Sequence, residues 1–193
     1  MKHPTSRMLF SYWDGLRGAR AAPERGEIEP GEIRHILADT FVLEIDPARR
    51  AVFRLGGTRL CALFGRELKG EPLHGLWPAD AQDEMQHLID IVVDETAGLI
   101  AGVAGETAAG DGLRLELLLL PLRHGGKTHA RVIGSLAPAA APPWIGFRPL
   151  VQLRTVSHRV IWPSGHPLPR ETPVDEAVER RRRLVLYRGG RQV

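Results

Sequence analysis

A single cysteine, Cys61, stands in 193 residues, so the chain can close no internal disulfide and build no cysteine-rich metal centre. Its stability must come from an apolar core. No long hydrophobic run is present: the richest stretch, Leu113 to Leu122, is broken by Arg114, Glu116 and Pro121, far short of the ~20 residues a membrane helix needs. Residues 1–30 carry no apolar run of signal-peptide length, and the chain is expected to be soluble and cytoplasmic. Lysine is scarce, at three residues, and aromatics make up 6%, which is poor material for a nucleic-acid surface of basic and stacking side chains. The formal charge of +3 is also local. Residues 170–193 hold seven arginines (Arg170, Arg180, Arg181, Arg182, Arg183, Arg188, Arg191) against four acids, and the rest of the chain is neutral. Catalytic patterns are missing as well. Ser135, Ser157 and Ser164 lack the Gly-x-Ser-x-Gly elbow, and Gly56-Gly57-Thr58 has neither the P-loop nor the dinucleotide spacing.

What is present is a globular composition, 43% hydrophobic and 25% charged, of a length suited to one domain. Residues 7–20 place Leu9, Trp13 and Leu16 at helical spacing before Gly18, and a second short helix is expected from Pro30 with Ile33, Ile36 and Leu37 on one face. Thr40 to Asp46 and Val52 to Leu55 read as a hairpin. After Gly56-Gly57, with Thr58 able to cap, Leu60, Leu63 and Phe64 form a short helix that Gly65 ends. Met85, Leu88, Ile89, Val92 and Val93 mark a helix over about 80–97, with Asp80, Asp83 and Glu84 in its first turn and Gly98 as its stop. Leu99–Glu106, Leu113–Leu122 and Thr128–Leu136, separated by glycine turns, predict an antiparallel meander. Ala137 to Pro143 is not expected to continue a strand and reads as a linker or an extended wrap, Val151 to Ile161 as a candidate extra strand, and Val174 to Leu186 as a helix in a loosely attached tail.

Two local patterns carry a family resemblance. Tyr12-Trp13, Leu16-Arg17-Gly18-Ala19-Arg20, Pro23, Arg25 and Ile28-Glu29-Pro30 resemble the opening of small stand-alone PAS proteins typical of alphaproteobacteria. Phe53-Arg54-Leu55-Gly56-Gly57-Thr58-Arg59-Leu60, running into Leu63-Phe64-Gly65-Arg66-Glu67-Leu68, Gly70 and Leu76-Trp77, is similar to that family's core signature. Ala19 departs from it, standing where a second glycine is frequent. The resemblance spans about residues 7–145 and implies an α+β, PAS-like fold with a five-stranded antiparallel sheet and flanking helices. It also implies a sensory or regulatory role without naming a cofactor. The expected division is an N-terminal helical segment (1–39), a PAS-like domain (40–145) and a C-terminal extension with the basic tail (146–193).

Candidate chemistry is sparse. An arginine inside an apolar strand, Arg54, must be paired, exposed or aimed at a ligand, and with Phe64 and Trp77 it forms the candidate binding set for a small molecule between the sheet and the helices. Leu9, Trp13 and Leu16 are the candidate homodimer contact, the bland alternative being that their helix covers the chain's own sheet. Cys61 reads as a buried structural residue. His124 and His129 flank a turn, and two imidazoles alone make a poor metal site. Asp80, Asp83, Glu84, Asp90 and Asp94 read as a solvated helix face. No metal, catalytic set or membrane contact is expected, and the chain is read as a non-enzyme that meets a second copy or a signalling protein. The alternatives are an acidic or nucleic-acid partner for the arginine-rich tail, and a pocket enzyme using Arg54 with a neighbouring carboxylate.

Overall fold

Strand β4 (Gly112–His124) sets the architecture, because its pattern demands cover on both sides. Leu113, Leu115, Leu117 and Leu119 alternate with Leu118, Leu120 and Leu122, and all seven are buried in a computed structural model that describes residues 1–162, apart from the side chains of Thr128 and His129. The sheet around it contains β1 (Thr40–Ile45), β2 (Ala51–Gly56), β3 (Gly98–Thr107), β5 (Lys127–Pro138) and β6 (Leu150–Ile161), in the order β2-β1-β5-β4-β3-β6. Every pairing is antiparallel. The sheet therefore has six strands where five were expected. The added one is β6, which runs along β3 from Gly98↔Ile161 to Thr107↔Leu150.

One face of the sheet carries α2 (Thr58–Phe64) and α3 (Gln82–Asp94). Met85, Leu88, Val92 and Phe64 pack there with Leu115, Leu117 and Leu119, the core the periodicities predict, and Phe41 and Phe53 join them. The other face carries α1 (Pro4–Arg17). Leu9 and Trp13 pack on Ile100, Leu118, Leu120, Leu122 and Ile133, and the Trp13 indole N–H donates to the Pro121 carbonyl at 2.8 Å. Pro4 opens α1 and Gly18 closes it at φ 56°. The expected N-terminal segment and the described part of the C-terminal extension are thus both built into the one sheet unit.

Four local readings are corrected. Ala137 and Pro138, read as the start of a linker, still belong to β5, opposite Glu116 and Leu115. Residues 30–39 form successive tight turns and a short 3₁₀ piece, Leu37–Asp39, not a helix: Ile33, Ile36 and Asp39 each donate three residues back, so the i→i−4 ladder never starts. Ile33 and Ile36 are buried while Leu37 is left at the surface. The cap of α2 is Gly57 and not Thr58, since a Cβ at Gly57 would lie 2.2 Å from the Leu37 carbonyl oxygen. Helix α3 stops at Asp94, with Thr96 at φ 51°, because Gly98 already belongs to β3, where a Cβ would come within 3.1 Å of Leu120. The expected helix over 174–186 and the tail arginines lie outside the described residues.

Candidate functional site

Period-2 alternation along the β1–β2 hairpin decides where each side chain points. Phe41, Leu43 and Phe53 enter the helix-side core, the two phenylalanine rings meeting edge to face at 5.3 Å. Arg54, the next residue after Phe53, projects from the opposite face, exposed, with its guanidinium 3.3 Å from Glu44. Glu44 in turn lies 2.7 Å from Arg131 of β5, the residue it faces across the β1–β5 ladder. Phe64 and Trp77 are both buried on the helix side, where the Trp77 indole N–H donates to the Thr155 hydroxyl at 3.0 Å. The sheet thus separates Arg54 from Phe64 and Trp77, and the expected three-residue site is not assembled. Arg54 takes the paired-and-exposed option.

Open surface lies elsewhere. Between the turns of residues 28–38 and the start of β1 and end of β2 is a groove of about 300 Å³, walled by Ile28, Ile33, Leu37, Phe41, Leu55 and Ile133. Leu55 is 58% exposed along its edge. The groove shares Arg25, Val42 and Leu55 with a second hollow of about 350 Å³, whose other walls are Arg54, Lys69, His124 and Arg131. An apolar slot thus opens directly into a basic mouth. Sequence reading missed this site because its walls come from five separate segments. The one signal was Arg131, a second arginine in an apolar strand, which mirrors Arg54.

A second open feature follows the meander. Phe147 is 85% exposed, Val151 60% and Val156 71%, all on β6 or just before it. Register irregularities in the β3–β6 ladder at Gly102/Val103 and Glu106/Thr107 throw Val156 and Val151 out of regular pairing.

The remaining candidates are placed as follows. Leu9 and Trp13 face the chain's own sheet, 0% and 2% exposed, and Leu16 is half-buried beside them, so two of the three expected dimer contacts are occupied internally. Cys61 is half-buried on α2, not fully buried as expected. Asp90 and Asp94 take Arg49 of the hairpin turn, at 3.6 Å and 2.8 Å, which ties that turn to α3. Arg49 is held charged more firmly than usual by this contact with Asp94. The Gly57 N–H is already given to the Thr40 carbonyl at 2.9 Å, so Gly56-Gly57-Thr58 is a tight connection. His124 is exposed, and the side chain of His129 lies outside the description. Among the described residues no group of three or more His, Cys, Asp or Glu side chains is arranged to hold a metal, and no helix is long and apolar enough to cross a membrane.

Residues 1–137 match the family model described as a PAS domain. No curated protein matches the chain. Among solved structures it is similar to an RNA-binding light-oxygen-voltage receptor, at 16% identity and a TM-score of 0.46, over 60% of this chain and 35% of that one. A Rhodobacter sphaeroides LOV protein matches at 14% identity and a TM-score of 0.43, over 55% and 61% of the two chains. The PAS domain of a Colwellia psychrerythraea protein matches at 11% identity and a TM-score of 0.42, over 57% and 97%. The chain therefore spans about a third of the length of the first of these structures and under two thirds of the second.

Proposed function

Because the chain belongs to the PAS-domain family, and so to a class of sensory and regulatory modules, we propose that it signals by protein–protein contact, with a second copy of itself as the partner. The observation that supports this reading is the run of exposed apolar side chains at Phe147, Val151 and Val156. Large apolar side chains left in water along the outer strand and the turn before it are where a partner would be met. Contact by the face of the strand fits better than edge-to-edge pairing, since the two irregularities in β6 and the charges of Arg154 and Arg159 spoil a continuous edge. Contact of one outer strand with the same strand of a second copy suits a two-fold dimer. The helix α1 plays no part in this contact, its apolar stripe being spent on the sheet. Binding and not turnover is the activity on this reading.

Sedimentation velocity on the full chain over a wide concentration range tests it. A dimer is expected for the wild type, and a monomer with unchanged circular dichroism for the double substitution Phe147→Asp, Val156→Asp. A wild-type chain that stays monomeric throughout, or a double variant that dimerises as well as the wild type, removes the reading.

A further inference from the structure

The groove beside β1 and β2 sits far along the sheet order from β6 and has no role in the contact above. Its wall is almost wholly apolar, from Ile28, Ile33, Leu37, Leu55 and Ile133. A polar ligand laid along it would lose its water without gaining hydrogen bonds, so the occupant must be apolar there. The adjoining mouth has the opposite character. Its lining contains Arg25, Arg54, Lys69, His124 and Arg131 and no carboxylate. The acids close by are already engaged: Glu44 is shared between Arg54 and Arg131, Asp46 is paired with Arg50, and Glu24 is paired with Arg123. Arg25 and Lys69 make no ion pair among the described residues, so the mouth keeps a cationic excess directed at solvent. Arg25 and Leu55 line both hollows, which fixes the apolar part and the charged part of an occupant next to each other.

We propose that the groove and its basic mouth form one binding site for a single-chain acyl carboxylate, with the hydrocarbon tail against Ile33, Leu55 and Ile133 and the carboxylate facing Arg25 and Lys69. A carboxylate suits the mouth better than a phosphate ester. Helix α2 is too short to present an anion-binding N-terminus, and the Gly57 amide at its start is engaged by Thr40, which leaves side-chain cations without a backbone cradle. Burying part of the tail supplies the affinity, and the arginine and lysine supply the selection for a charged head.

The test uses the full chain, isotopically labelled, titrated with sodium decanoate below its micelle concentration and followed by amide chemical shifts. Decan-1-ol, acetate and inorganic phosphate are the other arms. Decanoate is expected to move the amides of Ile33, Leu55 and Gly57, with decan-1-ol at least tenfold weaker and acetate and phosphate without effect on those amides. Arg25→Gln with Lys69→Gln is expected to bring decanoate down to the decan-1-ol level, and Leu55→Glu to abolish both, each with the remaining spectrum in place. Three results overturn the site: no decanoate binding, equal binding of acid and alcohol, or shifts away from the groove. Phosphate binding as tightly as decanoate would replace the acyl carboxylate by a plain anion and overturns it too.

Discussion

Trp13 closes the second face of the sheet with its ring and satisfies the Pro121 carbonyl with its indole N–H, while the Arg17 guanidinium lies 5.3 Å from its ring centroid. Proline inside β4 is tolerated because it lies past the end of the β3 pairing, which stops at Leu99↔Leu119, and its carbonyl is bound from the α1 side. Gly134 is a different kind of requirement. It pairs with Phe41 across the β1–β5 ladder, and a Cβ there would lie 2.4 Å from the Phe41 ring and 2.6 Å from the Leu118 carbonyl oxygen. Neither neighbour can retreat, since Phe41 is 1% exposed and packed on Phe53. Gly134→Ala is therefore expected to cost at least the ~1–3 kcal/mol of ordinary overpacking. Urea unfolding followed by circular dichroism reads it, and a midpoint equal to the wild type would show that the β1–β5 contact is not as close as described.

The elements differ in how far their sequences announce them. Helix α1 is anchored at its start by Glu116 of β4, whose carboxylate accepts the N–H groups of Lys2 at 2.7 Å and His3 at 2.9 Å. Burial pushes the Glu116 carboxyl up, but these hydrogen bonds outweigh it and hold the group below the ordinary glutamate range. A lowered folded value means that the stabilisation is fully present above the unfolded value of about 4.3 and is lost as pH falls through the folded one. The amide protection factors in the first turn of α1, taken relative to the unstructured rate at each pH, should accordingly fall below about pH 4.3, and Glu116→Gln should flatten that dependence. A first turn equally protected on both sides of that pH would refute the anchor. None of this was legible in sequence, where Glu116 is only a charge interrupting a leucine run. Helix α3 was legible because Met85, Leu88, Ile89, Val92 and Val93 state a period that nothing contradicts. The segment around Ile33 and Ile36 carries a similar spacing, yet the chain there must reach Thr40 of β1 within a few residues, and tight turns bury the same isoleucines without a helix. For the site, period 2 in β2 already places Arg54 opposite Phe53. The split between Arg54 and the pair Phe64 and Trp77 was thus implicit in the alternation, whereas the groove, made from distant segments, was not.

At the scale of the whole molecule the family match ends at residue 137, while the sheet does not close until β6 pairs with β3. The candidate extra strand at Val151 to Ile161 is present as β6, and its polar positions Gln152, Arg154, Ser157 and Arg159 fit an outer strand that needs only one buried side. That buried side matters nonetheless. Leu150 and Leu153 join the helix-side core, a Cβ at Gly105 would collide with Leu150 at 2.8 Å, and Thr155 takes the buried Trp77 indole. Removing β6 would expose the length of β3 with Leu99, Ala101 and Val103 beside it, strip two leucines from the core, and leave the Trp77 N–H unpaired at a cost of about 1–3 kcal/mol. A chain of residues 1–149 is thus expected to aggregate or to lose the sharp, cooperative unfolding that a chain of residues 1–162 keeps. Thermal unfolding of the two truncations by circular dichroism decides the matter. If residues 1–149 melt cooperatively at the same temperature as 1–162, the sixth strand is an appendage and the five-stranded sheet anticipated from the family resemblance is the folding unit.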